Sequence, residues 1–208
     1  MQTVKVKFLF LVIFAVFFSS CSKENGTIDE ISYKIGDEGP AGGIIIYVDN
    51  SKSSDFTYIE VSLDDIGGAE WGCFNAPIVD AREPGIGMGK ENSLAIVDFH
   101  NNLDDFYNNP AICSETSNGT VAAKACTDYV FGGFDDWFLP SEDETLLMYN
   151  KLHLEGLGNF DTEFLYWSST EHGDNTAVTI DFSNGDQGFL CKQCDFGEIT
   201  KIRAVRYF

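Results

Sequence analysis

Gly133-Phe-Asp-Asp-Trp-Phe-Leu-Pro-Ser-Glu-Asp-Glu144 is the stretch that orients the rest of the chain. Its last four residues, Ser141-Glu-Asp-Glu144 behind Pro140, have the S-x-x-E form of a capping box. In that motif the hydroxyl and the carboxylate each satisfy one of the orphan amides at a helix start. A helix therefore begins at Ser141 and carries Leu146, Leu147, Tyr149 and Leu152. Trp137 sits immediately ahead of it, in a segment with no helical period of its own.

Upstream, Ala122, Cys126, Tyr129 and Val130 recur at i, i+4, i+7, i+8 and predict an amphipathic helix from about Thr120 to Phe131. Ile96, Phe99 and Leu103 predict another that begins near Asn92 or Ser93. Strands are expected at both ends. Gly42 to Val48 is a short β-branched run entered through Gly39-Pro-Ala-Gly-Gly43, and Tyr58 to Val61 is expected to pair beside it. Downstream, Val178, Ile180 and Phe182 alternate with polar residues up to Ser183-Asn-Gly-Asp186, where Asn-Gly predicts a type I′ hairpin turn. Ile199 to Tyr207 reads as a closing strand. Helices in the middle and strands at both ends give an α+β domain with a small, mainly antiparallel sheet, two to three helices and long ordered loops, including Gly67 to Gly89.

The chain has 208 residues, 33 acidic against 13 basic, for a formal charge of −20. Such a surface repels nucleic acid and sulfated chains, which are bound by clustered Lys and Arg. Two of the lysines, Lys5 and Lys7, precede an unbroken apolar run from Phe8 to Phe18 and then Ser19-Ser20-Cys21. The run is too short to span a bilayer comfortably and reads as a signal peptide over residues 1–20. The small residues before Cys21 resemble a bacterial lipobox, which implies acylation of Cys21. Residues 21–32 would then form a polar tether, and residues 33–208 one globular domain of a membrane-anchored outer-membrane lipoprotein, exposed at the cell surface. Without the two leader lysines the charge becomes −22.

Five cysteines remain in an oxidising compartment. Disulfides are expected among Cys73, Cys113, Cys191 and Cys194, with Cys126, on an apolar stripe, as the buried free thiol. The C-x2-C of Cys191 and Cys194 has no second half with zinc-site spacing.

Six segments together resemble a known family: Gly39-Pro-Ala-Gly-Gly-Ile-Ile-Ile-Tyr47, Ile86-Gly-Met-Gly-Lys-Glu-Asn92, Ala122-Ala-Lys-Ala-Cys126, Gly133 to Ser141, Tyr166-Trp-Ser-Ser-Thr-Glu171 and Arg203-Ala-Val-Arg206. Their order and spacing are similar to the C-terminal domain family of the Legionella collagen-like adhesin (Lcl), over roughly residues 33 to 208. The resemblance implies an extracellular adhesion domain and trimers, although the collagen-like stalk is missing. Trp137-Phe-Leu-Pro-Ser141 with its acidic helix start also resembles sulfatase-modifying-factor domains, which implies a C-type-lectin-like architecture. The E-P-N and W-N-D pairs of calcium-dependent lectins are not present: Glu83-Pro84 precedes Gly85, and Trp167 precedes Ser168-Ser169. Calcium therefore has no motif to support it, and no metal or other cofactor is expected.

Chemistry has little local support. No G-x-S-x-G elbow occurs, and His100, His153 and His172 are the only histidines. Gly85-x-Gly87-x-Gly89-Lys90 lacks phosphate-loop spacing and reads as a tight turn into the following helix. Asp64-Asp65, Asp104-Asp105 and Asp135-Asp136 read as solvated loop pairs. Trp137 and Trp167 are candidate stacking faces for a sugar ring, with Asp136 and Glu171 as acceptors for its hydroxyls, against core packing of both indoles. Glu144 is read as a helix cap, and Arg203 and Arg206 as sheet-edge ion pairs. The expectation is a non-catalytic surface lipoprotein that recognises a neutral glycan or a protein. A paired-carboxylate carbohydrate enzyme and a purely structural envelope protein are the alternatives.

Overall fold

The computed structural model describes residues 31–193 and 198–208, so the signal peptide, Cys21, most of the tether and Cys194 lie outside the described residues. Its strands form two sheets. β1 (Ile44–Val48), β2 (Tyr58–Val61) and β7 (Val205–Tyr207) make an antiparallel sheet in the order β1-β2-β7. β5 (Gln187–Cys191), β4 (Thr176–Asp181), β3 (Leu165–Gly173) and β6 (Thr200–Lys201) make the other, antiparallel except for the β3–β6 pair. The α+β class and the antiparallel bias are as expected, but one sheet has become two. The predicted closing strand is the cause. It breaks at Ile202-Arg203-Ala204, so its first half pairs with β3 and its second half with β2.

The segment around Trp137 joins the two sheets. Phe138 exchanges both backbone bonds with Val205 of β7, at 2.9 and 3.0 Å, while Pro140 O accepts from Ser169 N of β3 at 2.7 Å. Helix α1 (Gly89–Asn101) holds it from the side: Ser93 Oγ donates to Leu139 O and accepts from Leu139 N, both at 3.0 Å. Leu139 and Ser93 are fully buried, so each of those polar groups needs its partner.

Helix α3 (Glu142–Leu147) starts with the expected capping box. Ser141 Oγ accepts from Glu144 N, and Ser141 N donates to Glu144 at 2.9 Å. The helix widens into a π turn at Met148–Leu152, whose two ends are buried. Helix α1 starts earlier than expected and buries Gly89, Asn92, Ser93, Ile96 and His100, a largely polar stripe, with Leu94 on its exposed side. Helix α2 (Ala122–Thr127) is half the predicted length. Gly132 and Gly133, at φ 62° and 85°, reverse the chain and leave Val130 outside the core. At Gly132 an added Cβ would lie 2.0 Å from Ala41 O, so only glycine fits that crossing.

The Asn-Gly turn is also wider than predicted. Gly185 alone is left-handed, Asp181 N donates to Asp186 O at 2.9 Å, and Phe182 drops from the turn into the core. Burying that ring among Tyr149, Phe160 and Tyr166 favours the longer loop over a two-residue turn. Apolar packing forms two clusters. Trp71, Trp137, Trp167, Ile96 and Cys126 belong to one, and Ile46, Ile59, Phe138, Met148, Tyr166 and Phe182 to the other.

Candidate functional site

Three short segments wall a cleft of about 540 Å³: Ser53–Phe56 after β1, the glycine-rich turn Ile86–Glu91, and the chain end at Tyr207 and Phe208. Each wall has an identifiable local cause. Asp49 organises the first, because its carboxylate accepts from Ser51 Oγ, Ser51 N at 2.8 Å, and Ser53 N and Ser54 N at 3.0 Å. These hydrogen bonds, led by the Ser51 hydroxyl, hold Asp49 well below the usual carboxylate range. The second wall is a turn closed by Met88 N to Gly85 O at 3.1 Å, with Gly87 left-handed and lying against the Phe56 ring.

Glu144 ties the second wall to the third from below. Its buried carboxylate accepts from Gly87 N at 2.8 Å and from the Tyr207 hydroxyl, in addition to its capping bond. Burial pushes Glu144 above its ordinary value, and the Tyr207 phenol also rises, through burial and then the Glu144 charge. Phe56 stacks on Tyr207 with centroids 4.2 Å apart and gives the cleft an aromatic floor. Asp55, Lys90 and Glu91 are exposed at its rim.

The expected acceptor and stacking residues sit elsewhere. Trp137 and Trp167 are 2% and 0% exposed, with indole N–H groups bonded to Phe134 O at 3.2 Å and Ala69 O at 3.0 Å. As stacking platforms they are corrected to core residues, because both faces are covered. Trp137 and Asp136 still contribute to a smaller depression of about 250 Å³ with Lys90, Leu94, Asp135 and Phe138. Asp136 is held by Arg206 through two bonds, at 2.7 and 3.0 Å. Glu171 is buried and accepts from Ile78 N at 2.7 Å, Arg82 Nε at 2.6 Å and Lys192 Nζ. Glu171 is corrected to a buried ion-pair partner, whereas Asp136, paired with Arg206 in a separate network, keeps a side chain 42% exposed at the smaller depression.

Arg203 and Arg206 form the expected ion pairs, Arg206 on the edge strand β7 and Arg203 just after the edge strand β6, and both are buried. Arg203 reaches Asp65 and the carbonyls of Ser62, Leu63 and Gly158, and Arg206 joins Asp136 to the fully buried Glu60. Asp65 and Asp136 are therefore not simply solvated loop residues. Cys73 and Cys113 form a disulfide, Cys191 is also disulfide-bonded, and Cys126 is a buried free thiol. Burial raises the Cys126 pKa.

Of the histidines, only His100 is buried. Buried His100 accepts from Cys73 N at 3.0 Å and contacts Ile96 O at 2.7 Å through its other nitrogen, and burial lowers its pKa to about 4. His153 stacks on Tyr149 and His172 on Phe189. Among the described residues no cluster of His, Cys, Asp or Glu has the arrangement to hold a metal ion. The cleft can offer apolar contact, hydroxyl hydrogen bonds and rim charge. Its floor escaped the sequence reading because Phe56 lies far along the chain from the adjacent Tyr207 and Phe208. The glycine-rich turn was the one local signal that touched it.

No family model matches the chain, and no curated protein matches it. Among solved structures, it is similar to a fimbrial protein from Bacteroides ovatus ATCC 8483, at 14% identity and a TM-score of 0.46. That match covers 82% of this chain and 45% of the other, so the chain spans less than half of its length. Among the described residues no helix is long and apolar enough to cross a membrane.

Proposed function

We propose that this chain is a non-catalytic recognition domain, displayed on the bacterial surface by a lipid on Cys21, that binds a glycan or a protein at the cleft between Phe56 and the glycine-rich turn. The observation that carries the proposal is the division of labour among polar groups. Glu60, Glu144, Glu171, Arg203 and Arg206 are all buried and committed to backbone or ion-pair contacts. The cleft residues Asp55, Lys90 and Glu91 are solvent-facing around an aromatic floor. Placement of apolar walls with a few polar groups at the rim suits a ligand site. The resemblance to the Lcl C-terminal domain and the lipobox support adhesion at the outer membrane. The resemblance to sulfatase-modifying-factor domains supports a C-type-lectin-like fold.

The test is binding of the purified full-length chain, in detergent, to a neutral glycan array and to immobilised extracellular-matrix proteins. Saturable binding above a denatured control, weakened by Ile86→Ser at the cleft wall, is the expected result. No binding to either surface by a folded preparation would overturn the recognition role. Release of reducing sugar during the same incubations would move the proposal to the paired-carboxylate enzyme.

A further inference from the structure

The cleft does not end at its rim. Lys90, at its edge, is also a wall of the smaller depression that contains Leu94, Asp135 and Phe138. Phe138 in that depression packs edge-on against Tyr207 of the cleft floor, with ring centroids 4.4 Å apart. Two hollows therefore lie side by side on one face, over one aromatic base, with a single lysine between them.

The geometry points to an extended segment of a partner protein that carries Lys or Arg, seated across both hollows with an apolar side chain in each. This deepens, and rests on, the recognition role proposed above. Three observations select that occupant. The first is spacing. Lys90 divides the hollows, and Leu94 in the smaller one follows it one helical turn on, about 6 Å along the axis. Same-side residues of an extended chain repeat at about 7 Å, a step that carries one side chain past Lys90 to the Leu94 hollow.

The second is the chemistry of the lips. Ile86 and Leu94 are 39% and 54% exposed at the two hollows, and half-buried Met88 lines the larger one. Exposed aliphatic and thioether side chains make pockets for apolar side chains, and Met adapts to varied ones. The third is charge. Asp55, Glu91 and Asp135 outnumber Lys90 on this face, in a chain of formal charge −20. A cationic segment is attracted and steered to such a rim, whereas a sulfated or uronic chain is repelled.

The experiment uses the full-length chain in detergent against an array of random dodecapeptides graded from acidic to basic, with neutral oligosaccharides and heparin on the same slide. Basic, apolar-containing peptides should bind, and more weakly as salt rises. For the best peptide, Ile86→Ser and Leu94→Ser should each weaken binding about tenfold, more than most interface side chains give on truncation and short of a hot spot. Because the two positions serve different hollows, the losses should multiply in the double variant. Both side chains lie at the surface rather than in the core, and near-ultraviolet circular dichroism checks that each variant is folded. Glu91→Lys should reduce the preference for basic over neutral peptides without altering the fold.

Peptide binding lost with Ile86→Ser but untouched by Leu94→Ser would overturn the two-hollow arrangement. Binding confined to neutral oligosaccharides would overturn the peptide occupant while leaving recognition intact. Preference for heparin or acidic peptides would overturn the charge argument. Silence across the whole slide would count against the recognition role itself.

Discussion

Replacing Arg206 by Met probes the ion pair that closes the sheet junction. Met keeps an apolar stem against Phe134, whose ring centroid lies 3.9 Å from the guanidinium carbon, but removes the charge. Glu60 would then be fully buried, with only the amides of Ala41 and Gly43 as partners, at 3.0 and 2.8 Å. The Arg206–Glu60 contact is 3.1 Å, and across that distance the attraction at an effective dielectric of about 20 is roughly 5 kcal/mol. Desolvation of both ions opposes most of it, so the measurable quantity is the cost of stranding one charge, about 3–5 kcal/mol. That is a large fraction of the about 5–15 kcal/mol that stabilises a typical domain.

Asp136, whose side chain is 42% exposed, regains water when Arg206 is lost and contributes at most about 1 kcal/mol. Urea unfolding followed by fluorescence of the buried Trp71, Trp137 and Trp167 measures the loss. Glu60→Gln/Arg206→Met should lose at least about 2 kcal/mol less than the sum of its parents. Arg206→Met within about 1 kcal/mol of the parent protein, or strict additivity in the double variant, would refute the reasoning.

His100 should make stability depend on pH. Its folded pKa is about 4, lowered by burial, against an ordinary value of 6.5, so the unfolded chain binds the proton first as pH falls. Stability from neutral His100 is complete above about pH 6.5 and declines by about 3 kcal/mol towards pH 4. Thermal midpoints of the parent and of His100→Gln over that range check it: the variant should show the shallower decline, and parallel curves would contradict it. The Cys73–Cys113 disulfide closes a sequence separation of 40 residues, which on the chain-entropy model stabilises by about 4 kcal/mol. Cys73→Ser/Cys113→Ser should lower the urea midpoint accordingly, and an unchanged midpoint would show that the bond is thermodynamically idle.

Local chemistry made much of the fold legible. Ser141 and Glu144 announce their helix because a capping box is complete within four residues, and Gly42 to Val48 and Tyr58 to Val61 read as a strand pair from an apolar, β-branched run and the glycine-rich turn that enters it. Errors came where a long-range contact outweighs a local preference. Val130 lost its place in a helix because Gly132 must cross Ala41. The Asn184-Gly185 turn widened because Phe182 gains more from the core than a tight turn gains from its backbone. Of the two readings of Trp137 and Trp167, core packing holds, since burying a large indole with its N–H bonded to a carbonyl gains more than leaving it at the surface.

By itself, the sequence determined the α+β class, the capping box, the free buried Cys126 and the acidic character of the chain, since each depends on composition or on residues within one turn of each other. Only the tertiary structure decided that the last strand splits between two sheets, that Arg206 bridges Glu60 and Asp136, and that Phe56, Lys90 and Tyr207 meet at one cleft. The physical reason is separation along the chain. A cleft floor assembled from residues about 150 positions apart has no periodicity to betray it, because a contact of that order is fixed by packing of the whole core and not by any local preference.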